Sequence, residues 1–162
     1  MRSRLFIVAA LLLGAGTASG AEPTWQELQN LPSWASPVFG EQRFASTYAL
    51  TTRINPYFLQ GDFNGDGQLD VAVLVQLKRT MQQGIAILHA GSMTPIVVGA
   101  GKEIGNGGDD FSWLDAWSVS ARDTRGKTAP GRGDALLVQK LESASGLIYW
   151  DGRAYQWRQQ GD

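Results

Sequence analysis

The chain has 162 residues, a length that favours one domain, and a formal net charge of −1. So small a charge provides no basic face for nucleic acid or anionic lipid, and we expect neither as a partner. Because the sequence contains no cysteine, disulfides, thiolate metal sites and a thiol nucleophile are excluded. We expect the fold to be stabilised by its core, with or without a bound ion.

Residues 1–20 have the layout of a secretory signal peptide. Arg2 and Arg4 form a positive start, an unbroken apolar run follows, and small residues end the segment. The alternative is an N-terminal membrane anchor, but the run is shorter than the roughly 20 residues that span a bilayer. We expect cleavage after residue 20 or 21, a mature domain over residues 21–162 without stable membrane insertion, and a periplasmic or secreted location.

The mature N-terminus predicts one short helix. Thr24 followed by Glu27 is a capping-box pattern, and Pro32 ends the run. Three apolar residues fall on one helical face: Trp25, Leu28 and Leu31. We expect this face to dock on the domain. The alternative is a helix that binds a partner.

The rest of the chain predicts a mainly β fold. Short runs of β-branched and aromatic residues alternate with turn residues, as is typical of antiparallel sheets. The predicted strands cover residues 44–54, 57–60, 71–77, 85–89, 95–98, 113–119, 135–141, 147–150 and 154–157. Two polar, Gly-rich segments are expected to be loops, the second of them mobile: residues 99–110 and 121–133. We therefore predict an antiparallel sheet and hairpin domain with one short N-terminal helix.

The last two strands form the clearest predicted hairpin. Asp151 and Gly152 supply the positive φ angles of a two-residue type I′ turn. This turn fixes two cross-strand pairs, Trp150 with Arg153 and Ile148 with Tyr155. Four apolar side chains then share one face: Ile148, Trp150, Tyr155 and Trp157. We expect that face to belong to the core, and a ligand platform is the alternative.

Residues 61–70 form an acidic segment that is the most informative feature of the sequence. It reads Gly-Asp-Phe-Asn-Gly-Asp-Gly-Gln-Leu-Asp. Side-chain oxygens stand at loop positions 1, 3, 5 and 9, a glycine stands at position 6, and position 7 can offer its backbone carbonyl. This pattern suits a hard cation such as Ca²⁺, which would also relieve the repulsion among three carboxylates. The alternative is a tight Asx-rich turn without an ion.

The loop is not an EF-hand, because Val73 stands at position 12, where an EF-hand needs Glu, and because a β-branched run follows instead of a helix. Residues 57–77 instead resemble the calcium loop of FG-GAP/VCBS-type repeats, which lies between two strands of a β-propeller blade. The resemblance implies five Ca²⁺ ligands: Asp62, Asn64, Asp66, the backbone carbonyl of Gln68, and Asp70. The loop occurs in a single clear copy, and the chain is too short for a full propeller of that family's usual size. The whole chain also resembles small exported proteobacterial proteins that carry one such loop.

A second candidate surface joins an acidic loop to a tryptophan-rich segment. Its members are Asp109, Asp110, Trp113, Asp115 and Trp117. On a strand, the two indoles and the carboxylate between them would share one side, which would suit a sugar or a cationic group. The alternative, which we favour, is an acidic turn that leads into a core strand.

No catalytic constellation can be assembled from the sequence. His89 is the only histidine, no Gly-x-Ser-x-Gly motif is present, and a zinc site would need more nitrogen or sulfur ligands. Residues 99–103 lack the spacing of a phosphate-binding loop. The tripeptide at residues 132–134, Arg-Gly-Asp, is interpreted as a turn before a strand.

These observations predict a non-enzymatic, calcium-stabilised exported protein that binds an envelope protein or glycan. The first alternative is a periplasmic inhibitor or immunity-type protein that blocks a cell-wall enzyme through residues 109–117. The second alternative is an enzyme that uses Asp109, Asp110 or Asp115 as a general acid or base.

Overall fold

A computed structural model describes residues 28–122 and 131–161. This part of the chain is mainly β, as predicted, with two antiparallel sheets and two short helices, α1 (Ser36–Gly40) and α2 (Gln42–Ala45). The predicted signal peptide, most of the predicted N-terminal helix and most of the loop 121–133 lie outside the described residues. None of the helices in the described part is long and apolar enough to span a bilayer.

The first sheet is built around one central strand. Its members are β1 (Tyr48–Leu50), β2 (Phe58–Gly61), β3 (Asp70–Leu77), β4 (Gln83–Leu88) and β5 (Ile96–Gly99). One edge of β3 pairs antiparallel with β4, which in turn pairs with β5. The other edge of β3 pairs with β2 over residues 70–73 and with β1 over residues 75–77. β1 and β2 therefore lie end to end along the same edge.

The second sheet is a simple meander of four antiparallel strands. It contains β6 (Ala116–Ser120), β7 (Ala135–Lys140), β8 (Ala144–Trp150) and β9 (Tyr155–Gly161), each paired with its neighbours in chain order. A short 3₁₀ turn, Gly105–Gly107, lies in the connection between the two sheets. Its glycines approach the ring of Trp157 on β9.

The side chains of β3 explain why its sequence is almost continuously apolar. Ala72 and Leu74 pack in the core that both sheets share, together with residues such as Phe63 and Ile148. The side chains that alternate with them, residues 71, 73 and 75, pack in a second core under the N-terminal helices. A strand covered on both faces has no solvent side and needs no polar alternation.

The predicted strand over residues 44–54 is wrong at its start. Residues Gln42–Ala45 form α2, and only Tyr48–Leu50 is a strand. Phe44 is buried on α2, where its ring meets the ring of Phe39 edge-on, with 5.4 Å between the centroids. Packing of this helix over the first sheet outweighs the β propensity of the segment. The other predicted strands overlap the observed ones.

The predicted register of the last hairpin is also wrong. Trp150 pairs with Tyr155, and Ile148 pairs with Trp157, so four residues rather than two separate the strands. The cause is Asp151, whose Oδ1 accepts hydrogen bonds from the backbone N–H groups of residues 153 and 154 and so closes a longer turn. A shift of two residues keeps every side chain on its predicted face. The predicted apolar face is confirmed, since all four of its members belong to or pack against the core between the sheets.

The core between the sheets predicts a large effect of Phe63→Ala. Phe63 is 0% exposed, and removing a buried phenyl ring costs about 3–5 kcal/mol in the free energy of unfolding. Urea denaturation followed by tryptophan fluorescence measures this loss. Met93→Ala is the control, because Met93 is 69% exposed and the change should stay within about 0.5 kcal/mol. Equal midpoints for the two variants would contradict the assignment of Phe63 to the core.

Candidate functional site

The acidic loop connects β2 to β3 at a point where the two strands are paired. Gly61 lies opposite Asp70, so the ends of the loop are held together by the sheet. Within the loop, Gly65 and Gly67 have φ angles of 78° and 84°. Residues with side chains rarely adopt this conformation, so the sharp turn depends on glycine.

Asp62 closes the turn through its carboxylate. Its Oδ1 accepts hydrogen bonds from the backbone N–H groups of Gly65 (2.8 Å) and Asp66 (3.0 Å). Its Oδ2 accepts a third from the N–H of Gly67, at 3.0 Å. These bonds fold the backbone around the first side chain of the loop.

Asp66 and its neighbours form the exposed part of the loop. Asn64 Oδ1 accepts a hydrogen bond from the backbone N–H of Asp66, and Asp66 Oδ1 accepts one from the N–H of Gln68, both at 2.8 Å. The side-chain amide of Asn64 donates to Asp66 Oδ2 at 3.0 Å. The hydrogen bond from the Asn64 side chain, followed by the one from the Gln68 backbone, lowers the pKa of Asp66. The carboxylate is therefore ionised at neutral pH.

Asp70 faces the interior and is fully buried. Its Oδ2 accepts hydrogen bonds from the backbone N–H groups of Phe63 (2.9 Å) and Asn64 (3.2 Å), and its Oδ1 accepts one from Ala90 (2.8 Å). Burial raises the pKa of Asp70, while the hydrogen bond from Ala90 and the charge of His89 oppose that rise. The side chain thus ties the loop to the residues that follow β4.

The loop agrees with a calcium site in some respects and departs from one in another. Oxygens of Asp62, Asn64 and Asp66 accept the hydrogen bonds that close the turn, and each carboxylate oxygen has more than one lone pair to offer. The hydrogen-bond donors to these two carboxylates are backbone N–H groups and side-chain amides. Asp70, however, is directed inward, and within residues 28–122 and 131–161 no group of three or more His, Cys, Asp or Glu residues is arranged to hold a metal ion.

The structure adds a partner of the loop that the sequence did not indicate. Asp134 Oδ2 accepts a hydrogen bond from the N–H of Asp62 (3.1 Å), and the N–H of Asp134 donates to the carbonyl of Asp62 (2.7 Å). Gly133 lies so close that a Cβ there would stand 2.1 Å from the carbonyl oxygen of Asp62. Residues 132–134 precede β7, as predicted for a turn, and they also join the acidic loop to the second sheet.

Asp109 and Asp110 join the segment after the 3₁₀ turn to residues 82 and 83 at the start of β4. Asp109 Oδ2 accepts a hydrogen bond from the side-chain amide of Gln82 at 2.8 Å. Asp110 Oδ1 accepts from the backbone N–H groups of Gln83 (2.9 Å) and Ser112 (3.0 Å). Burial alone would raise the pKa of Asp110, but these hydrogen bonds and the charge of Arg53 outweigh it and lower the pKa.

The structure separates the two indoles that the sequence placed on one side of a strand. β6 begins at Ala116, so Trp113 and Asp115 belong to the preceding turn. Trp117 is 5% exposed in the core between the sheets, and its Nε1 donates to the carbonyl of Pro56 at 2.7 Å. Asp115 is exposed and accepts a hydrogen bond from the backbone N–H of residue 141. The two indoles and Asp115 therefore do not share one side of a strand, and the arrangement agrees with the favoured interpretation, an acidic turn that leads into a core strand.

His89 contacts two aromatic side chains. Its Nε2 lies 2.7 Å from the hydroxyl of Tyr155, and its ring meets that of Trp150 edge-on at 5.1 Å. Burial raises the pKa of Tyr155, and the charge of Asp70 adds to the effect. The phenol therefore stays protonated, and the group packs the hairpin against the end of β4.

Comparison with family models, with curated proteins and with solved structures finds no match to this chain. The function is therefore inferred from its own residues.

The three hydrogen bonds to Asp70 predict that Asp70→Asn is destabilising. The amide keeps the shape but loses one acceptor oxygen, which leaves at least one buried N–H unpaired at a cost of about 1–3 kcal/mol. Chemical denaturation at neutral pH measures the loss. Asp115→Asn is the matched control, since it alters an exposed carboxylate and should change stability by less than about 0.5 kcal/mol. Wild-type stability in Asp70→Asn would contradict the positioning role.

The lowered pKa of Asp110 predicts a specific contribution to acid sensitivity. Its stabilising effect is complete above the pKa of the unfolded chain, about 3.9, and is lost as the pH falls through the lower folded value. Asp110→Asn should therefore be less stable than the wild type at neutral pH, with a difference that shrinks below about pH 4. Urea midpoints across pH test this. A constant difference for Asp110→Asn across this pH range would contradict the assignment.

Proposed function

We propose that this protein is an exported, non-enzymatic binding protein whose fold is stabilised by Ca²⁺ in the loop at residues 61–70. One observation carries the calcium proposal. Oxygens of Asp62, Asn64 and Asp66 cluster in one short turn, and within the described part of the chain no cationic side chain donates a hydrogen bond to its carboxylates. A divalent cation is the complement that this arrangement of oxygens favours.

The ion would be held by Asp62, Asn64, Asp66 and the backbone carbonyl of Gln68. It would supply positive charge to a segment with three carboxylates. Asp70, the fifth residue implied by the FG-GAP/VCBS resemblance, positions the loop from the interior through its three backbone hydrogen bonds. Its oxygens would reach the ion only if the loop rearranged.

The resemblance to the FG-GAP/VCBS calcium loop has further support from the sheets. Propeller blades are four-stranded antiparallel sheets. The second sheet has this form, and the first has four rows of strands because β1 and β2 share one edge. The loop lies between two adjacent strands of the first sheet, as the resemblance implies.

The hydrogen bonds of the three candidate acid/base residues support a non-enzymatic role. Asp109 and Asp110 accept hydrogen bonds from residues 82 and 83, and Asp115 accepts one from the backbone N–H of residue 141. The lowered pKa of Asp110 leaves it ionised at neutral pH, which does not suit a general acid. An inhibitor that acts through residues 109–117 could not use Trp117 to contact its target, because Trp117 is buried.

Calcium titration of the chelated mature protein tests the proposal. Sites of this extracellular type have dissociation constants of about 10⁻⁴–10⁻³ M, so millimolar Ca²⁺ should add roughly 0.5–1.5 kcal/mol. The melting temperature should rise by about 1–6 °C for a domain of this size. Differential scanning fluorimetry and tryptophan fluorescence measure the change.

Asp66→Asn should remove the calcium response without unfolding the apoprotein. The matched control is Asp151→Asn, because Asp151 is an exposed aspartate that closes a turn in the last hairpin and has no role in the loop. The control should keep the full response. The calcium site would be overturned if calcium left the wild-type melting temperature unchanged. It would also be overturned if calcium still raised the melting temperature of Asp66→Asn.

A further inference from the structure

A small groove with two indoles lies at one end of the second sheet. Trp113 and Trp157 line it, together with four polar side chains: Asn106, Lys140, Ser145 and Gln159. Its volume is about 240 Å³. A larger open cavity of about 540 Å³ shares Lys140 and Ser145 with it and continues along the turn between β7 and β8. We call the smaller cavity the indole groove.

Two glycines in the indole groove allow the ring of Trp157 to approach the backbone closely. A Cβ on Gly146 would lie 2.2 Å from Trp157 Cζ2, and a Cβ on Gly107 would lie 2.8 Å from Trp157 Cε3. Any larger residue at either position would push the ring away. The indole therefore lies close against the backbone of β8 and of the 3₁₀ turn.

Trp113 completes the aromatic part of the groove. Its ring stands at 86° to that of Trp157, with the centroids 6.2 Å apart. Both indole N–H groups are engaged within the protein: Trp113 Nε1 donates to the carbonyl of Gly107 (3.3 Å) and Trp157 Nε1 donates to Gln159 Oε1 (3.2 Å). What the two half-buried rings offer to the groove is therefore mainly apolar surface.

The remaining lining adds hydrogen-bonding groups and one positive charge. Asn106 and Gln159 carry amides, Ser145 carries a hydroxyl, and Lys140 carries an ammonium group. Among the residues that the structure describes, no carboxylate lines the groove. Rigid aromatic surface beside amides and hydroxyls is complementary to a sugar ring, whose C–H groups contact π faces while its hydroxyls bond to polar side chains.

We infer that the indole groove binds one hexopyranose unit of a glycan. The volume is below the roughly 300–1,000 Å³ of pockets for drug-sized ligands, so it fits one ring, and the adjoining cavity takes the next unit of the chain. Lys140 on the rim gives preference to a sugar that carries a carboxylate. The inference names a ligand class for the proposed binding protein. The envelope origin of the glycan rests on the proposed function. The calcium loop plays no part in the inference.

Isothermal titration calorimetry and tryptophan fluorescence on the mature chain test the inference. The probes are glucose, glucuronic acid, N-acetylglucosamine and its β-linked trisaccharide. We expect millimolar binding with a change in emission, tighter binding of glucuronic acid than of glucose, and several-fold tighter binding of the trisaccharide than of its monosaccharide. No heat and no fluorescence change with any probe at tens of millimolar would overturn the inference.

Variants place the binding in the groove. Asn106→Ala and Lys140→Ala alter exposed side chains and should weaken binding about three- to tenfold, the effect of one lost hydrogen bond, with an unchanged melting temperature. Gln156→Ala, an exposed change on β9 next to Trp157, should bind like the wild type. Trp113→Phe keeps an aromatic ring and should keep the fold if Trp113→Ala does not. Full affinity in both Asn106→Ala and Lys140→Ala would overturn the placement.

Two further measurements separate this inference from the proposed function. Sugar titrations are repeated with calcium and with chelator. If the melting temperature depends on calcium but no sugar binds, sugar binding in the groove is overturned and the calcium site is supported. Sugar binding without any calcium effect overturns the calcium site and supports the groove. Chromatography of the trisaccharide after incubation should show it intact, and cleavage would overturn the non-enzymatic role while supporting glycan recognition.

Discussion

A buried carboxylate at the start of the central strand holds the acidic loop in its conformation. Asp70 accepts two hydrogen bonds from the loop and one from Ala90, which follows the neighbouring strand. A carboxylate without such partners would be costly in an interior position, and three N–H groups would be left unpaired without the carboxylate. Because β3 is packed on both faces, its first residue is fixed in space. The packing of the first sheet therefore fixes the position of the loop through Asp70.

The loop in turn connects the two sheets. Asp134 forms two hydrogen bonds with Asp62, and Gly133 permits the close approach that these bonds require. An ion bound to the exposed oxygens of the loop would stabilise the segment on which both sheets converge. In a protein without disulfides, such a link would stabilise the contact between the sheets. This arrangement fits a structural ion better than a catalytic one.

Recognition is assigned to a different part of the molecule. The indole groove belongs to the second sheet and to the 3₁₀ turn, and its geometry depends on glycines that lie directly against Trp157. The sequence suggested an aromatic surface with Trp113 and Trp117. In the fold, Trp117 enters the core and Trp157, some forty residues further along the chain, stands beside Trp113. The inference of a sugar ligand follows from that second pairing.

The sequence by itself determined the features that depend on neighbours along the chain. Runs of β-branched and aromatic residues predicted most strands, the Asp-Gly turn predicted the inward face of the last hairpin, and the spacing of Asp, Asn and Gly predicted the acidic turn. Only the tertiary structure decided the helical state of Phe44, the partnership of Asp134 with the loop, the inward direction of Asp70, and the contact of Gly146 with Trp157. Each of these depends on residues that are distant in sequence and adjacent in space. Local propensity carries no information about such contacts, because packing and hydrogen bonding across the core determine them.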